Sequence, residues 1–127
     1  DAMIVALGGN DLLRGIAPEV ARGNLERIMQ EARAQGVEVL LVGLPAPSNY
    51  GAAYKAEFDA IYPDLVAEYS AALAPDFFIG LAEEEDVRAR FFQPDGIHPN
   101  AEGVAQIVEA LGPAVADLIA TAQAEEQ

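Results

Sequence analysis

Two short apolar segments, each ending at glycine, constrain the fold of this chain more than any other feature. Residues 3–7 contain no polar side chain and run directly into Gly8 and Gly9. Residues 37–43 repeat the pattern with one charged residue, Glu38. Segments of this length and composition are typical of parallel strands that are buried on both faces. We therefore predict that both segments are central strands of a parallel sheet.

The segments between and after these strands show helical patterns. Pro18 suits the first position of a helix, and Gly36 supplies its C-terminal stop. A second helix is predicted over residues 52–73, with a kink or break at Pro63 because proline lacks the helical N–H donor. The remaining predicted elements are a third strand at 76–80, a short acidic helix near 82–88, and a last helix that is capped by Asn100 and interrupted at Gly112-Pro113.

Alternating strands and helices predict one α/β domain over residues 1–127, with a parallel sheet, flanking helices and three evident strands. Ligand sites in such sheets lie beyond the carboxyl ends of the strands. Three predicted loops, 8–15, 44–51 and 80–99, lie at that edge. We expect the chemistry of the protein there.

Charge and residue usage exclude several classes of function. Seven Lys and Arg against 21 Asp and Glu give a net charge of −14, which disfavours nucleic acid and anionic membrane surfaces as partners. No apolar run approaches the roughly 20 residues of a membrane span. With no Cys and only one His, thiolate and multi-histidine metal sites are excluded. At 52% apolar residues, the chain is also unlike a disordered acidic tail.

The first candidate site follows the first strand, in Gly8-Gly9-Asn10-Asp11. Glycines at this point let the backbone turn sharply and let a ligand approach closely. The amide of Asn10 is a neutral donor that can stabilise a developing oxyanion. The alternative is an ordinary turn in which Asn10 and Asp11 satisfy local backbone groups.

The second candidate site contains the single histidine, His98, three residues after Asp95 in a loop with Gly96 and Pro99. A carboxylate that accepts the Nδ1 proton leaves Nε2 free to act as a general base. A purely structural hydrogen bond of the histidine is the alternative. Asp11, Asp95 and His98 are too few for a metal site.

A nucleophile to match this pair is harder to find. The only hydroxyl side chains besides tyrosine are Ser48, Ser70 and Thr121. Ser70 and Thr121 fall within predicted helices and are interpreted as structural. Ser48 lies at the correct edge of the sheet, but no nucleophile-elbow glycines surround it, so we expect it to cap a turn.

Together, Gly8-x-Asn10-Asp11 and Asp95-x-x-His98 resemble two conserved blocks of the SGNH, or GDSL-type, hydrolases. The chain is similar to their bacterial arylesterase and thioesterase–lysophospholipase branch over residues 7–15, 48–63 and 95–100. The resemblance implies a flavodoxin-like fold and hydrolysis of small acyl esters or thioesters without a cofactor.

The resemblance also implies a role for each matching residue. His98 would be the base, Asp95 its orienting partner and Asn10 an oxyanion donor, while Gly8 would shape the loop and Asp11 would brace it. The family's Gly-Asp-Ser block, a glycine oxyanion donor and two strands are expected before Asp1.

These expectations make residues 1–127 the C-terminal portion of a hydrolase domain that is inactive when isolated. The chain is expected to pair with its own N-terminal segment or with a second copy. A periplasmic or secreted location is implied by the resemblance alone. The alternative from another class is a catalytically silent α/β binding or interaction domain.

Overall fold

Three parallel strands form the sheet in a computed structural model that describes residues 1–81 and 85–126. The strand order is β1-β2-β3, which agrees with the predicted α/β architecture. Ile4 of β1 is in register with Leu40 of β2, and Leu40 with Ala72 of β3. The elements in chain order are β1 (Ala2–Val5), α1 (Gly9–Arg14), α2 (Pro18–Ala34), β2 (Glu38–Val42), a 3-10 turn (Ser48–Tyr50), α3 (Ala52–Tyr69), β3 (Ala72–Ala74), α4 (Glu85–Phe91) and α5 (Ala101–Glu125).

Helices cover both faces of the sheet. Successive side chains of β2 point to opposite faces, so they enter two separate cores. Val39 and Leu41 join the larger core, which α2 and α3 supply with Leu25, Phe58 and other apolar residues. On the opposite face, Leu40 and Val42 pack in a second core with Leu118 of α5. The prediction of a doubly buried strand is therefore confirmed for β2.

For β1 the structure describes only one of the two neighbours that a central strand has, so its central position stays a prediction. Within the described residues β1 pairs only with β2, so it is an edge strand of the described sheet. Ile4 is 49% exposed and Leu7, beyond the strand, is 53% exposed, whereas Val5 is buried. Apolar composition alone does not reveal whether a strand has one neighbour or two.

The third strand lies at Ala72–Ala74 and not at 76–80 as predicted. α3 ends at Tyr69, and Ser70 adopts a left-handed conformation (φ 53°) that turns the chain into β3. Asp76 holds the following residues in a turn, because its Oδ1 accepts the N–H of Phe78 at 2.8 Å. The aromatic pattern of 76–80 thus belongs to a turn after the strand.

Proline interrupts neither long helix. α3 continues through Pro63, and α5 continues through Gly112 and Pro113. Each proline removes one backbone hydrogen bond, but packing of nearby apolar residues holds the helix together. Ile61 and Tyr62 near Pro63 are buried. Leu111 and Ala114 near Pro113 are partly buried against the second core. α4 overlaps the predicted acidic helix near 82–88, of which residues 82–84 lie outside the described chain.

Because it is uninterrupted, α5 is long and apolar enough in composition to cross a membrane. Its 25 residues include an 18-residue window with a mean hydropathy of 1.4. This feature was not predicted from the sequence, because a break was expected at Gly112-Pro113. In the fold, Leu118 packs α5 on the sheet, which is the arrangement of a helix in an α/β layer. Its outer surface still exposes Val104, Val108 and Ile119.

Candidate active site

A direct hydrogen bond joins the two side chains of the second candidate motif. Nδ1 of His98 lies 2.6 Å from Oδ2 of Asp95, and both residues are exposed. The other carboxylate oxygen, Oδ1, accepts the backbone N–H groups of Ile97 at 2.9 Å and His98 at 3.0 Å. Hydrogen bonds from the side chain and backbone of His98 and from the backbone of Ile97 lower the pKa of Asp95 to about 2. The carboxylate is therefore ionised at neutral pH and fixed toward the imidazole.

The loop that carries this pair is closed by its own backbone. Gln93 donates its N–H to the carbonyl of His98 at 2.8 Å, and Gly96 donates to the carbonyl of Gln93 at 2.9 Å. Gly96 has a φ of 68°, a left-handed conformation that glycine adopts without steric cost. A bridge between Phe92 and Pro99 joins the two ends of the loop.

Asn100 anchors the loop to both neighbouring helices. Its Oδ1 accepts the N–H of Gly103 at 2.9 Å, which confirms the predicted N-cap of α5. Its Nδ2 donates to the carbonyl of Arg90 in α4 at 2.6 Å. A Cβ at position 103 would clash with the carbonyl of Phe91, so glycine allows α5 to approach α4 closely. His98 thus projects from a loop whose ends are held by two helices.

The first candidate motif lies at the start of α1, so most of the predicted loop 8–15 is helical. Gly8, with a φ of 126°, is the N-cap residue and turns the chain out of β1. Asn10 is exposed, and its amide makes no hydrogen bond with any described residue. A ligand at this edge would therefore find the amide of Asn10 unoccupied.

Asp11 is half-buried beside Asn10. Its backbone carbonyl accepts the N–H of Ile16 at 2.9 Å, which closes the end of α1. Its carboxylate is close enough to Tyr62 to help raise the pKa of that hydroxyl. The bracing role that the resemblance implies for Asp11 stays a prediction.

Contacts along the carboxyl edge of the sheet connect the two motifs. Leu44, just after β2, borders Gly9. After β3, Phe77 donates its N–H to the carbonyl of Gly43 at 2.9 Å. The ring of Phe78 then lies 5.7 Å, between centroids, from that of Phe92 at the base of the His98 loop. Both motifs therefore occupy the predicted edge, although no hydrogen bond joins Asn10 to His98 within the described residues.

An open cleft of about 210 Å³ lies at this edge, lined by Leu44, Pro45, Asp59, Tyr62 and Pro75. The described part of the chain has no group of three or more His, Cys, Asp or Glu side chains that could hold a metal ion. Ser48 is exposed in the 3-10 turn and Ser70 ends α3. Among the described residues, neither serine forms a hydrogen bond with His98.

The polar role of three tyrosines was not predicted from the sequence. Tyr50, Tyr54 and Tyr62 each donate a hydroxyl hydrogen bond to a backbone carbonyl near Asn10. Their aromatic spacing was visible, but nothing in the sequence indicated which distant carbonyls they would reach.

An apolar-cored parallel sheet with polar motifs at its carboxyl edge is the arrangement in which α/β folds carry ligand sites. The chain belongs to the GDSL-like lipase/acylhydrolase family, whose model matches residues 1–106. Thioesterase 1/protease 1/lysophospholipase L1 of Escherichia coli K12 is 41% identical over 100 residues, which are 79% of this chain and 46% of that protein.

Solved structures agree with this assignment. The crystal structure of TesA matches 91% of this chain and 62% of its own chain, with a TM-score of 0.77 and 37% identity. The SGNH-hydrolase family esterase AlinE4 matches 90% of this chain and 58% of its own, with a TM-score of 0.66 and 46% identity. The chain spans about half the length of the curated relatives it matches, 46%, 56% and 52% for three of them.

Proposed function

We propose that this chain supplies the histidine, the aspartate and the asparagine oxyanion donor of a serine hydrolase of acyl esters or thioesters. The observation that carries the proposal is the 2.6 Å hydrogen bond between Nδ1 of His98 and Oδ2 of Asp95. Because an ionised carboxylate can only accept, Nδ1 would carry the proton of the neutral ring, which leaves Nε2 able to accept one. Membership of a lipase/acylhydrolase family supports the reaction class.

In the proposed reaction, a serine hydroxyl attacks the acyl carbonyl while Nε2 of His98 takes its proton. The ionised Asp95 stabilises the imidazolium that forms. The amide of Asn10 donates a hydrogen bond to the oxyanion of the tetrahedral intermediate. The intermediate collapses as His98 gives its proton to the leaving alcohol or thiol, and water then releases the acyl group by the same route.

We also propose that the nucleophile and further strands come from sequence outside these 127 residues, which would form the C-terminal portion of the hydrolase domain. Two exposed apolar surfaces support this proposal. Ile4 is half exposed on edge strand β1, and Val104 and Val108 are exposed on α5. The N-terminal segment of the same protein, or a second copy of this chain, would cover them. A periplasmic or secreted location remains part of the proposal by resemblance alone.

Labelling with a fluorophosphonate, which reacts with activated serines, tests the proposed function. The product of the complete reading frame should be labelled at one serine outside the 127 residues, and His98→Ala should abolish the labelling. The isolated chain and its Ser48→Ala variant should both remain unlabelled. A complete protein that takes no label and hydrolyses no p-nitrophenyl ester would instead be the silent binding domain.

A further inference from the structure

Three tyrosine hydroxyls of the 3-10 turn and α3 bind the backbone of residues 7–16, here called the Asn10 segment. Tyr62 donates to the carbonyl of Leu7 at 2.8 Å, three residues before Asn10. Tyr50 donates to the carbonyl of Leu12 at 2.7 Å, two residues after it. Tyr54 donates to the carbonyl of Ile16 at 2.6 Å, at the end of the segment.

We propose that Tyr50, Tyr54 and Tyr62, here called the tyrosine clamp, are positioning residues for the oxyanion donor Asn10. This inference rests on the proposed function. The clamp holds the backbone on both sides of Asn10 and leaves the asparagine amide unoccupied. An oxyanion donor is effective only when it is already placed where charge develops, so the backbone that carries it must be held.

The rings of the clamp and of Phe58 form a continuous row of aromatic contacts. Ring centroids are 4.8 Å apart for Tyr50 and Tyr54, 6.1 Å for Tyr54 and Phe58, and 6.0 Å for Phe58 and Tyr62. Phe58 is fully buried and Tyr62 is 3% exposed, so this row of rings is anchored in the larger core. Tyr54 and Tyr62 are therefore held on a packed helix, which restricts where their hydroxyls can reach. Tyr50 lies in the 3-10 turn and joins the row through its contact with Tyr54.

Protonation keeps the Tyr62 hydroxyl a donor. Burial, together with the nearby Asp11 and Asp59 carboxylates, raises the pKa of Tyr62 to about 12. The hydroxyl thus holds the carbonyl of Leu7 throughout the pH range in which an esterase is assayed.

Gly8 provides a second, independent sign of this close approach. A Cβ at position 8 would clash with the Tyr62 hydroxyl, so the absence of a side chain lets Tyr62 reach Leu7. Only a residue without a side chain at position 8 therefore lets Tyr62 pack this closely against the backbone of the Asn10 segment.

Tyr69 is a matched control on the same helix. Its hydroxyl donates to Oε1 of Glu26 in α2 at 3.2 Å and, among the described residues, forms no hydrogen bond with the Asn10 segment. Tyr69→Phe thus removes one tyrosine hydroxyl from α3 and leaves the clamp intact.

Ester kinetics on the complete protein test the catalytic part of the inference. Asn10→Ala should lower kcat by about 10²–10³ with little change in KM. Tyr62→Phe and Tyr50→Phe should each lower kcat by roughly three- to tenfold, the rate equivalent of one neutral hydrogen bond, and leave KM within about twofold. In the Asn10→Ala background the same two substitutions should have almost no further effect, since they act through Asn10.

Hydrogen exchange of the complete protein provides a second readout that does not depend on activity. Amides of residues 9–16 should exchange faster in Tyr62→Phe and Tyr50→Phe than in the parent chain or in Tyr69→Phe. Unchanged exchange would overturn the clamp whether or not the protein hydrolyses esters.

The kinetic outcomes separate the two proposals. If Asn10→Ala leaves kcat unchanged, the proposed oxyanion role is wrong and the catalytic part of the clamp fails with it. If Asn10→Ala lowers kcat and the tyrosine substitutions lower it by their full factors again in that background, the proposed function stands and the positioning inference is overturned.

Discussion

Asp95 binds His98 through both of its carboxylate oxygens. Oδ2 lies 2.6 Å from Nδ1 of the histidine ring, and Oδ1 accepts the histidine backbone N–H at 3.0 Å. The carboxylate therefore orients both the ring and the loop that carries it. Because the partners are three residues apart, this unit forms within one turn and depends little on the rest of the fold.

The first prediction concerns the pair in the complete protein. His98→Ala should lower kcat for a p-nitrophenyl ester by about 10⁶, because the serine loses its base. Asp95→Asn should lower kcat by a factor on the order of 10⁴, the scale of the equivalent substitution in serine proteases. The reason is that the asparagine amide favours the wrong tautomer of the His98 ring. The double variant should be little worse than His98→Ala. Retention of more than about a tenth of kcat by His98→Ala would refute the assigned pair.

The second prediction concerns acid stability. Because the folded chain lowers the pKa of Asp95 to about 2 from its ordinary 3.8, the unfolded chain binds more protons between these values. The contribution of ionised Asp95 to the free energy of unfolding is therefore complete above about pH 4, and it is lost as the pH falls toward about 2. The side-chain carboxyl carbon of Asp95 should titrate near pH 2 by NMR, and Asp95→Asn should reduce the loss of stability over this interval. Titration at the ordinary value would contradict the hydrogen-bond geometry.

The third prediction compares two glycines by urea unfolding. Gly8→Ala should destabilise the chain by about 1–3 kcal/mol, because position 8 has a φ of 126° and its Cβ would clash with the Tyr62 hydroxyl. Tyr62→Phe should restore only part of this loss, since it relieves the clash and leaves the backbone strain. Gly23→Ala is the control: it lies within α2 with open space around it and should stabilise by about 0.5–1 kcal/mol. Equal changes in stability at Gly8 and Gly23 would contradict the close approach of the Tyr62 hydroxyl to Gly8.

The fourth prediction concerns the unpaired edge of β1. In sedimentation experiments the isolated chain should associate with itself, because Ile4 is 49% exposed on a strand whose outer edge has no described partner. Ile4→Lys should weaken the association by placing a charge on that edge. Val20→Lys, at an equally exposed position on α2, should not. A stable monomer of the unmodified chain would count against the proposed missing partner.

Local features explain why part of the site could be predicted from sequence. The spacing of Asp95 and His98 and the capping role of Asn100 depend on neighbours within a few residues. The apolar run of β2 and the Pro18 start of α2 are of the same kind. In each case the interacting groups lie within one short segment, so the local sequence is enough to predict the feature.

Tertiary packing decided the rest. The helices continue through Pro63 and Pro113 because packing of nearby apolar residues against the two cores outweighs one lost backbone hydrogen bond. Ile4 is exposed because β1 lies at an edge of the described sheet, a fact about neighbours that the composition of β1 does not contain. The hydroxyl of Tyr62 finds a carbonyl 55 residues away only when α3 packs beside the end of β1. Sequence therefore determined the locally closed pair of Asp95 and His98, whereas the tyrosine contacts around Asn10 join distant segments and exist only once the core has formed.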